Sequence, residues 1–254
     1  PPPVLSHDTS PASNAPGDLS DAGYTFCHQN PLIPPQHLTT TSLHHISTGA
    51  ITLLPPPHSH PGHLSIAPSP STSAPIVTTG AGCPDTTLLS SLPLYAAGYH
   101  HPANTRAGKR IYFELRILRL PPAGKREEEA TLAIGFAAKP YPGFRLPGWN
   151  RGSLGVHSDD GRRYCNDSYG GKDFVRGGWG VGERVGVGMS FCTERDGNAG
   201  VEVWFTRNGE RVGGWWLDEE VDAERDWDPR VGLDGRWDVY AALGVWGGGV
   251  QVEV

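Results

Sequence analysis

The residues best suited to chemistry are concentrated in one segment, FAAKPYPGFRLPGWNRGSLGVH, at residues 136–157. Within residues 139–151 it combines three aromatic side chains, two arginines and three prolines, namely Tyr141, Phe144, Trp149, Arg145, Arg151, Pro140, Pro142 and Pro147. Tyrosine, tryptophan and arginine dominate binding hot spots between proteins. Proline fixes the backbone and so reduces the entropy that is lost on binding. The segment therefore predicts a rigid loop that binds a protein or peptide partner.

A structural interpretation of the same aromatic side chains stands beside the binding one. The rings could fold back and close one end of the fold, while the prolines and glycines shape the turn. The two interpretations are compatible, and we expect at least one ring to be buried and at least one to be exposed. We add Leu146 from the loop, and Trp179 from the glycine-rich stretch 177–182, to the predicted binding residues.

Residue types that support catalysis are scattered rather than grouped. A retaining glycosidase needs two carboxylates about 5–5.5 Å apart, but Glu114 and Glu202 each stand alone in a predicted strand. No Ser-His-Asp or Cys-His pattern occurs. The sequence predicts no catalytic residue and no enzyme, with a carbohydrate-binding module or a glycoside hydrolase as the alternatives to a protein-interaction module.

Metal and cofactor sites are not predicted either. His58, His60 and His63 lie close together without an acidic or cysteine partner nearby, so a solvated loop explains them better. The sequence SDDG at residues 158–161 has too few oxygen ligands for calcium and is typical of a hairpin turn. The glycines at 177–182 are not followed by the helix or the Lys-Ser/Thr pair of a phosphate loop.

Composition excludes several classes of partner. The net charge is −6 and there is no basic block, which argues against nucleic acid. The four cysteines stand far apart, as reduced thiols of an intracellular protein do. No apolar run approaches the roughly 20 residues that span a bilayer. Because the chain opens on Pro1 and its single methionine is Met189, we expect it to begin inside a longer protein.

The chain divides by charge into two halves. All 21 basic residues lie from Arg106 onward, whereas most prolines lie before it. Residues 1–20 are predicted to be a disordered linker rich in proline and serine. For residues 21–105 the short β-branched runs ITLL and APIVTT favour early strands joined by long insertions, with disorder as the alternative. The intervening segment 55–73 is predicted to be a mobile loop.

From Arg106 onward the pattern is that of an all-β protein. RIYFELRIL alternates apolar and polar residues, as a strand with one buried face does. TLAIGFA is predicted to be a buried strand, and Asn208-Gly209 is a strong hairpin signal. These elements predict a two-sheet antiparallel β-sandwich. Its core is predicted to contain seven residues, namely Ile111, Phe113, Leu115, Ile134, Val187, Phe205 and Leu243.

The order of these motifs resembles that of a SPRY domain. The motifs are YFELRI, LAIGF, GSLGVHSDDGRRY, GERVGVGMSF, VWFTRNGERVGG and DVYAALGV. The resemblance implies a jelly-roll sandwich of the concanavalin type over residues 21–254, with a core of about 91–254. It also implies that one end's loops, including residues 139–151, form a peptide-binding surface.

KPYPGFRLPGWNRGSLGVHSDDG resembles more particularly the Ran-binding-protein-M type and fungal endosomal or vacuolar SPRY proteins that act as ubiquitin-ligase adaptors. That resemblance implies ubiquitin-ligase machinery and membrane cargo as partners of the full-length protein, with this domain in the cytosol. Four features depart from the pattern. Glu183 replaces the usual Asp, Ala241 replaces the usual Pro, no Pro-Pro-x-Tyr motif is present, and the chain stops at Val254, which implies a shortened last strand.

Overall fold

The computed structural model describes residues 16–57, 59–72, 74–121, 129–175, 178–195, 198–222 and 227–254. Within these ranges the chain forms fourteen strands, which are β1 (Leu53–Leu54), β2 (Leu64–Pro68), β3 (Pro75–Thr79), β4 (Thr86–Ser90), β5 (Lys109–Arg119), β6 (Thr131–Ala138), β7 (Ser153–His157), β8 (Arg162–Cys165), β9 (Lys172–Asp173), β10 (Arg184–Arg195), β11 (Asn198–Arg207), β12 (Glu210–Trp216), β13 (Val239–Trp246) and β14 (Gln251–Glu253). The helices are α1 (Gly17–Gln29), α2 (Thr40–Thr48), α3 (Ala97–His100), α4 (Pro102–Thr105) and a 3-10 turn at Leu217–Glu220.

The strands form two antiparallel sheets, which confirms the predicted sandwich. Sheet I has the order β1-β4-β13-β6-β7-β8-β9, and sheet II has the order β12-β11-β10-β5-β14-β3-β2. The hairpin between β11 and β12 turns at Asn208 and Gly209, whose φ angles are 52° and 82°. Both residues adopt the positive φ that the sequence predicted for this turn.

The core lies between the two sheets. Along β5 the side chains of Ile111, Leu115 and Ile117 are buried in it, whereas Tyr112 points to solvent. The predicted core residues are buried there, except that Phe113 is half-buried and packs on the core at 5.5 Å from the Phe136 ring. The period-2 pattern of β5 therefore predicted its inner face correctly.

Strand β6 is different, because all eight of its residues are buried. Leu132, Ile134 and Phe136 face the core between the sheets. The alternate, outward positions hold Ala133, Gly135 and Ala137, which are small and which are nevertheless covered. The outer face of sheet I therefore carries another layer of the protein.

The first hundred residues contain more regular structure than the sequence predicted. The runs APIVTT and ITLL do form strands β3 and β1, but β2 lies within the segment 55–73 that was predicted to be a loop and pairs with β3. Helix α1 begins at Gly17, inside the predicted linker, and residues 1–15 lie outside the described residues. Neither α1 nor α2 was predicted. Among the described residues, no helix is both long and apolar enough to cross a bilayer.

Candidate partner-binding face

The loop that joins β6 to β7, residues 139–152, lies flat on the outer face of sheet I. Glycines in the sheet make this possible. A Cβ atom at Gly155 would stand 2.3 Å from the Pro147 carbonyl oxygen, and one at Gly244 would stand 2.4 Å from Pro147 Cδ. Tyr141 packs beside Ala137 and Ala242 on the same face. The small outward residues of β6, β7 and β13 therefore position the loop.

Internal hydrogen bonds hold the loop in one conformation. The Tyr141 hydroxyl donates to the Leu146 carbonyl oxygen. Ser153 Oγ accepts from the Gly148 N–H at 2.8 Å and donates to the Asn150 carbonyl oxygen at 2.7 Å. His157 Nε2 lies 2.9 Å from the Pro147 carbonyl oxygen. The backbone of the loop is thus fixed before any partner binds.

A buried cation lies at the centre of the loop. Arg145 is only 1% exposed, and its guanidinium lies 4.4 Å from the centre of the Trp149 ring. Its Nε donates to Asn150 Oδ1 at 3.1 Å, while its Nη1 has no hydrogen-bond partner. Burial lowers the pKa of Arg145, and the neighbouring Tyr141 and Asp85 oppose that change. Burial also raises the pKa of Asp85 to about 7, against the effect of Arg145.

Helix α1 covers this loop from the solvent side. Its one fully buried residue is Gly23, where a Cβ atom would stand 2.7 Å from Asn150 Oδ1. The Phe26 ring meets the Phe144 ring edge-on at 6.3 Å. The Tyr24 hydroxyl lies 2.9 Å from Ser168 Oγ. The helix backbone therefore approaches the loop more closely than any side chain at position 23 would allow.

The chain continues across the same side of the molecule after α1 ends. Arg151 Nη2 donates to the Asn30 carbonyl oxygen at 2.9 Å, and the Ile33 N–H donates to the Lys139 carbonyl oxygen at 2.9 Å. Leu32 is buried against Gly152 and Gly232. Further along, the Leu38 N–H donates to the Tyr99 hydroxyl at 3.1 Å. We call residues 17–38 the strap, and we call Phe144, Asn150, Arg151 and Ser168 beneath it the docking face.

The seven predicted binding residues fall into two groups. Tyr141, Arg145, Leu146, Trp149 and Trp179 are buried, whereas Phe144 and Arg151 are half-buried at the docking face. Trp179 does not join the loop at all, since its ring stacks on the core residue Phe205 at 5.6 Å. In this conformation Tyr141, Leu146 and Trp179 have no surface to offer a partner, because they pack on glycine, alanine or the core. The binding role of the loop stays a prediction.

Sequence reasoning missed the residues that contact the loop from the strap. A signal was present, because Leu19, Gly23, Phe26 and Asn30 are spaced as one face of a helix. Two glycines and the absence of a capping side chain obscured it. Asn150 and Ser168 were also missed, because their roles depend on where the strap lies.

The carboxylates of sheet II form ion pairs instead of an acid pair. Glu114 Oε1 lies 2.7 Å from Arg184 Nη1, and Glu202 Oε1 lies 2.6 Å from Arg211 Nη2. Both pairs are on the outer face, where solvent reaches them. Within the described residues no group of three or more His, Cys, Asp and Glu side chains is arranged to hold a metal ion.

Part of the sequence matches a known family. Residues 110–223 match the family model of the SPRY domain. SPRY domains are in general protein-interaction modules. A crystal structure of a human SPRY domain is 23% identical, with a TM-score of 0.46 over 74% of this chain and 92% of that chain.

Two fungal relatives show a higher identity. A SPRY domain-containing protein of Schizosaccharomyces pombe is 34% identical over 139 residues, which cover 55% of this chain and 31% of that protein. Protein ssh4 of Sclerotinia sclerotiorum is 36% identical over 104 residues, which cover 40% of this chain and 16% of that protein. The chain thus spans less than a third of the length of these relatives.

Proposed function

We propose that this chain is a non-enzymatic protein-interaction module that binds a peptide segment of a partner protein at the docking face. The observation that carries the proposal is the fixed conformation of the 139–152 loop over sheet I, with Phe144 and Arg151 at its surface. A rigid aromatic and a planar cation are typical hot-spot residues, and a fixed loop loses little entropy on binding. Tyr169, next to Ser168, adds an exposed ring at the rim.

For the full-length protein, we propose the cargo-recognition part of a ubiquitin-ligase adaptor in endosomal or vacuolar sorting. The similarity to ssh4 proteins of three fungal species supports this assignment. The domain would then lie on the cytosolic side of an endosomal or vacuolar membrane. Its partners would be membrane cargo and the ligase machinery.

The proposed function can be tested with peptides selected from a displayed library on the purified chain. Phe144→Ala should weaken binding of a selected peptide by about tenfold or more, in the usual hot-spot range. Tyr112→Ala is the matched control, because it removes an exposed ring from the outer face of sheet II. Both variants should keep a melting temperature close to that of the wild type.

Three outcomes would contradict the proposal. The first is loss of binding in Tyr112→Ala but not in Phe144→Ala, which would place the binding surface on sheet II. The second is a failure to select any peptide. The third is selective binding in a glycan array by the same preparation, which would instead favour a carbohydrate-binding module.

A further inference from the structure

The docking face is already occupied by part of this chain. We propose that the strap, residues 17–38, is a displaceable occupant of the docking face, and that an acidic peptide segment of a partner takes its place. This inference rests on the proposed function and names the partner chemistry of the same site. The strap therefore closes the face until a partner competes for it.

Helix α1 owes its structure to the face on which it lies. Pro16 stands at its N-cap without a side-chain hydrogen bond, and glycines occupy positions 17 and 23. Glycine is a poor helix former, and a helix of this length is marginal when isolated in water. Gly23 is the one residue of α1 that is fully buried. Release of α1 uncovers the half-buried side chains of Leu19, Phe26 and Cys27, but it leaves the core between the sheets untouched, because that core contains no residue of α1.

The strap also leaves donors of the loop without acceptors. Arg145 Nη1 and Asn150 Nδ2 are buried and have no hydrogen-bond partner, and the buried Arg151 Nε has none except the Cys27 thiol beside its guanidinium, which is a weak acceptor. A buried donor without an acceptor destabilises the arrangement that buries it. The α1 backbone above Asn150 offers no acceptor for these donors, because the carbonyl groups inside a helix already accept hydrogen bonds from N–H groups of the same helix. The strap therefore fits the shape of the face but not its hydrogen-bonding groups.

Carboxylates are the acceptors that such a face fits best. Two of the three donors belong to guanidinium groups, which form their strongest hydrogen bonds with carboxylates. The strap's own carboxylates, Asp18 and Asp21, lie on its exposed side. A partner segment that carries an acidic side chain toward Arg145 and Asn150 would satisfy groups that the strap leaves unsatisfied. This difference is what lets a partner compete with a tethered segment.

The first test opens the strap with one substitution and measures hydrogen exchange in the whole chain. In Gly23→Leu the new side chain meets Asn150, which is fully buried and is held by Arg145. Amides of the strap and of the 139–152 loop should exchange about tenfold faster or more than in the wild type, while those of β5 and β10 stay unchanged. Gly17→Leu is the control, because nothing lies within 4 Å of a Cβ atom at Gly17.

Two results of this test would overturn the proposal. The first is that the strap amides of the wild type exchange as slowly as those of β13, which would make the strap an inseparable part of the fold. The second is that Gly23→Leu accelerates amide exchange throughout both sheets. Sedimentation of the same variant tests for a further result that would overturn the proposal. Dimers would mean that the strap of a second copy occupies the docking face.

The second test supplies labelled peptides of residues 16–38 in trans, with Asp or Asn at position 27. The native side chain at this position, Cys27, forms a hydrogen bond with the Arg151 side chain, and the peptides keep Gly23 so that they still fit over Asn150. The Asp peptide should bind Gly23→Leu about tenfold more tightly than the Asn peptide, with an advantage that shrinks at high salt. Both peptides should bind the wild type more weakly, because the tethered strap competes.

Equal binding of the Asp and Asn peptides would overturn the acidic preference, and no binding to the opened chain would overturn the exchange itself. Neither peptide comes from a partner. If neither strap peptide binds, but binding of a library-selected peptide still depends on Phe144, the proposed function stands. Failure of the library selection alone would instead count against the proposed function.

Discussion

The outer faces of the two sheets differ in what covers them. The outer face of sheet II meets solvent, with Tyr112 exposed and with Glu114 and Glu202 in ion pairs with arginines. The outer face of sheet I carries the 139–152 loop and, above the loop, the strap. Strand β5 accordingly alternates, whereas β6 is buried along its whole length. Outward positions of a sheet therefore reveal a covering layer by being small, and not only by being apolar.

A substitution in the core between the two sheets gives the reference value of the unfolding free energy for this comparison. Phe205 is fully buried against Trp179 and Phe174. We expect Phe205→Ala to reduce the free energy of unfolding by about 3–5 kcal/mol, because it leaves a cavity in the core. Val212→Ala, on the exposed surface of β12, should change it by no more than about 0.5 kcal/mol. Urea unfolding measures both, and similar losses would contradict the assigned core.

Paired glycine substitutions separate the two outer faces directly. Gly155→Ala should cost about 1–3 kcal/mol, because the new Cβ atom meets the backbone of Pro147 on sheet I. At Gly186 on sheet II a Cβ atom would meet two side-chain ends, the Tyr112 hydroxyl, which can move into solvent, and Thr206 Oγ1 at 2.6 Å. Gly186→Ala should therefore cost less than Gly155→Ala, because side-chain ends can move and backbone cannot. Thermal unfolding that ranks the two variants in the opposite order would contradict the covered face.

Acid sensitivity sharpens the comparison, because a carboxyl group lies buried near the covered loop. Burial raises the pKa of Asp85 to about 7 in the folded protein, so folding keeps its proton where the unfolded chain releases it. Stability then decreases from about pH 4 to about pH 7 through this group. Asp85→Asn should gain stability relative to the wild type over that range, on the order of 1–2 kcal/mol at pH 7.

Asp159 is half-buried and its pKa is also raised by desolvation, so it changes the pH dependence of stability in the same direction in Asp85→Asn and in the wild type. The quantity to compare is therefore the difference in unfolding free energy between Asp85→Asn and the wild type, measured at several pH values. A difference that becomes unfavourable to Asp85→Asn as the pH rises would mean that Asp85 is stabilised as an anion by Arg145.

The smallest effect is expected for an ion pair on the open face. Arg184 is more than half exposed and pairs with Glu114. Exposed pairs contribute little, so Arg184→Ala should cost less than about 1 kcal/mol and should become still more neutral at high salt. Chemical unfolding at two salt concentrations measures this. A loss above about 2 kcal/mol would show that the two outer faces are less different than the comparison holds.

Much of the sandwich could be predicted because its local signals agree with its fold. The alternation in RIYFELRIL, the Asn208-Gly209 turn and the apolar run TLAIGF each specify a strand or a turn through neighbouring residues alone. Strand β2 could not be predicted in the same way. Its residues are mostly exposed, so they show no alternation of apolar and polar residues, and the connection to β3 is rich in serine.

The candidate site was predicted in part. The composition of the 139–152 loop identified the right segment, but it could not show which side chains face solvent. That depends on Gly155 and on Gly244, whose missing side chains admit Pro147 against the sheet, and Gly244 is remote from Pro147 in sequence. Nor could composition show that a helix with two glycines would pack on Asn150. The contact exists because Gly23 lacks a side chain, whereas a helix-propensity scale treats glycine only as unfavourable.

Hydrogen exchange of the whole chain with and without a library-selected peptide tests the central claim most directly. The account predicts that the bound peptide slows exchange in residues 139–152 and accelerates it in α1, because the peptide displaces the strap from the docking face. Slower exchange in β11 and β12 or in β2 and β3, with α1 unchanged, would contradict it. In that case sheet II would carry the binding site, and the covered face of sheet I would be a structural layer only.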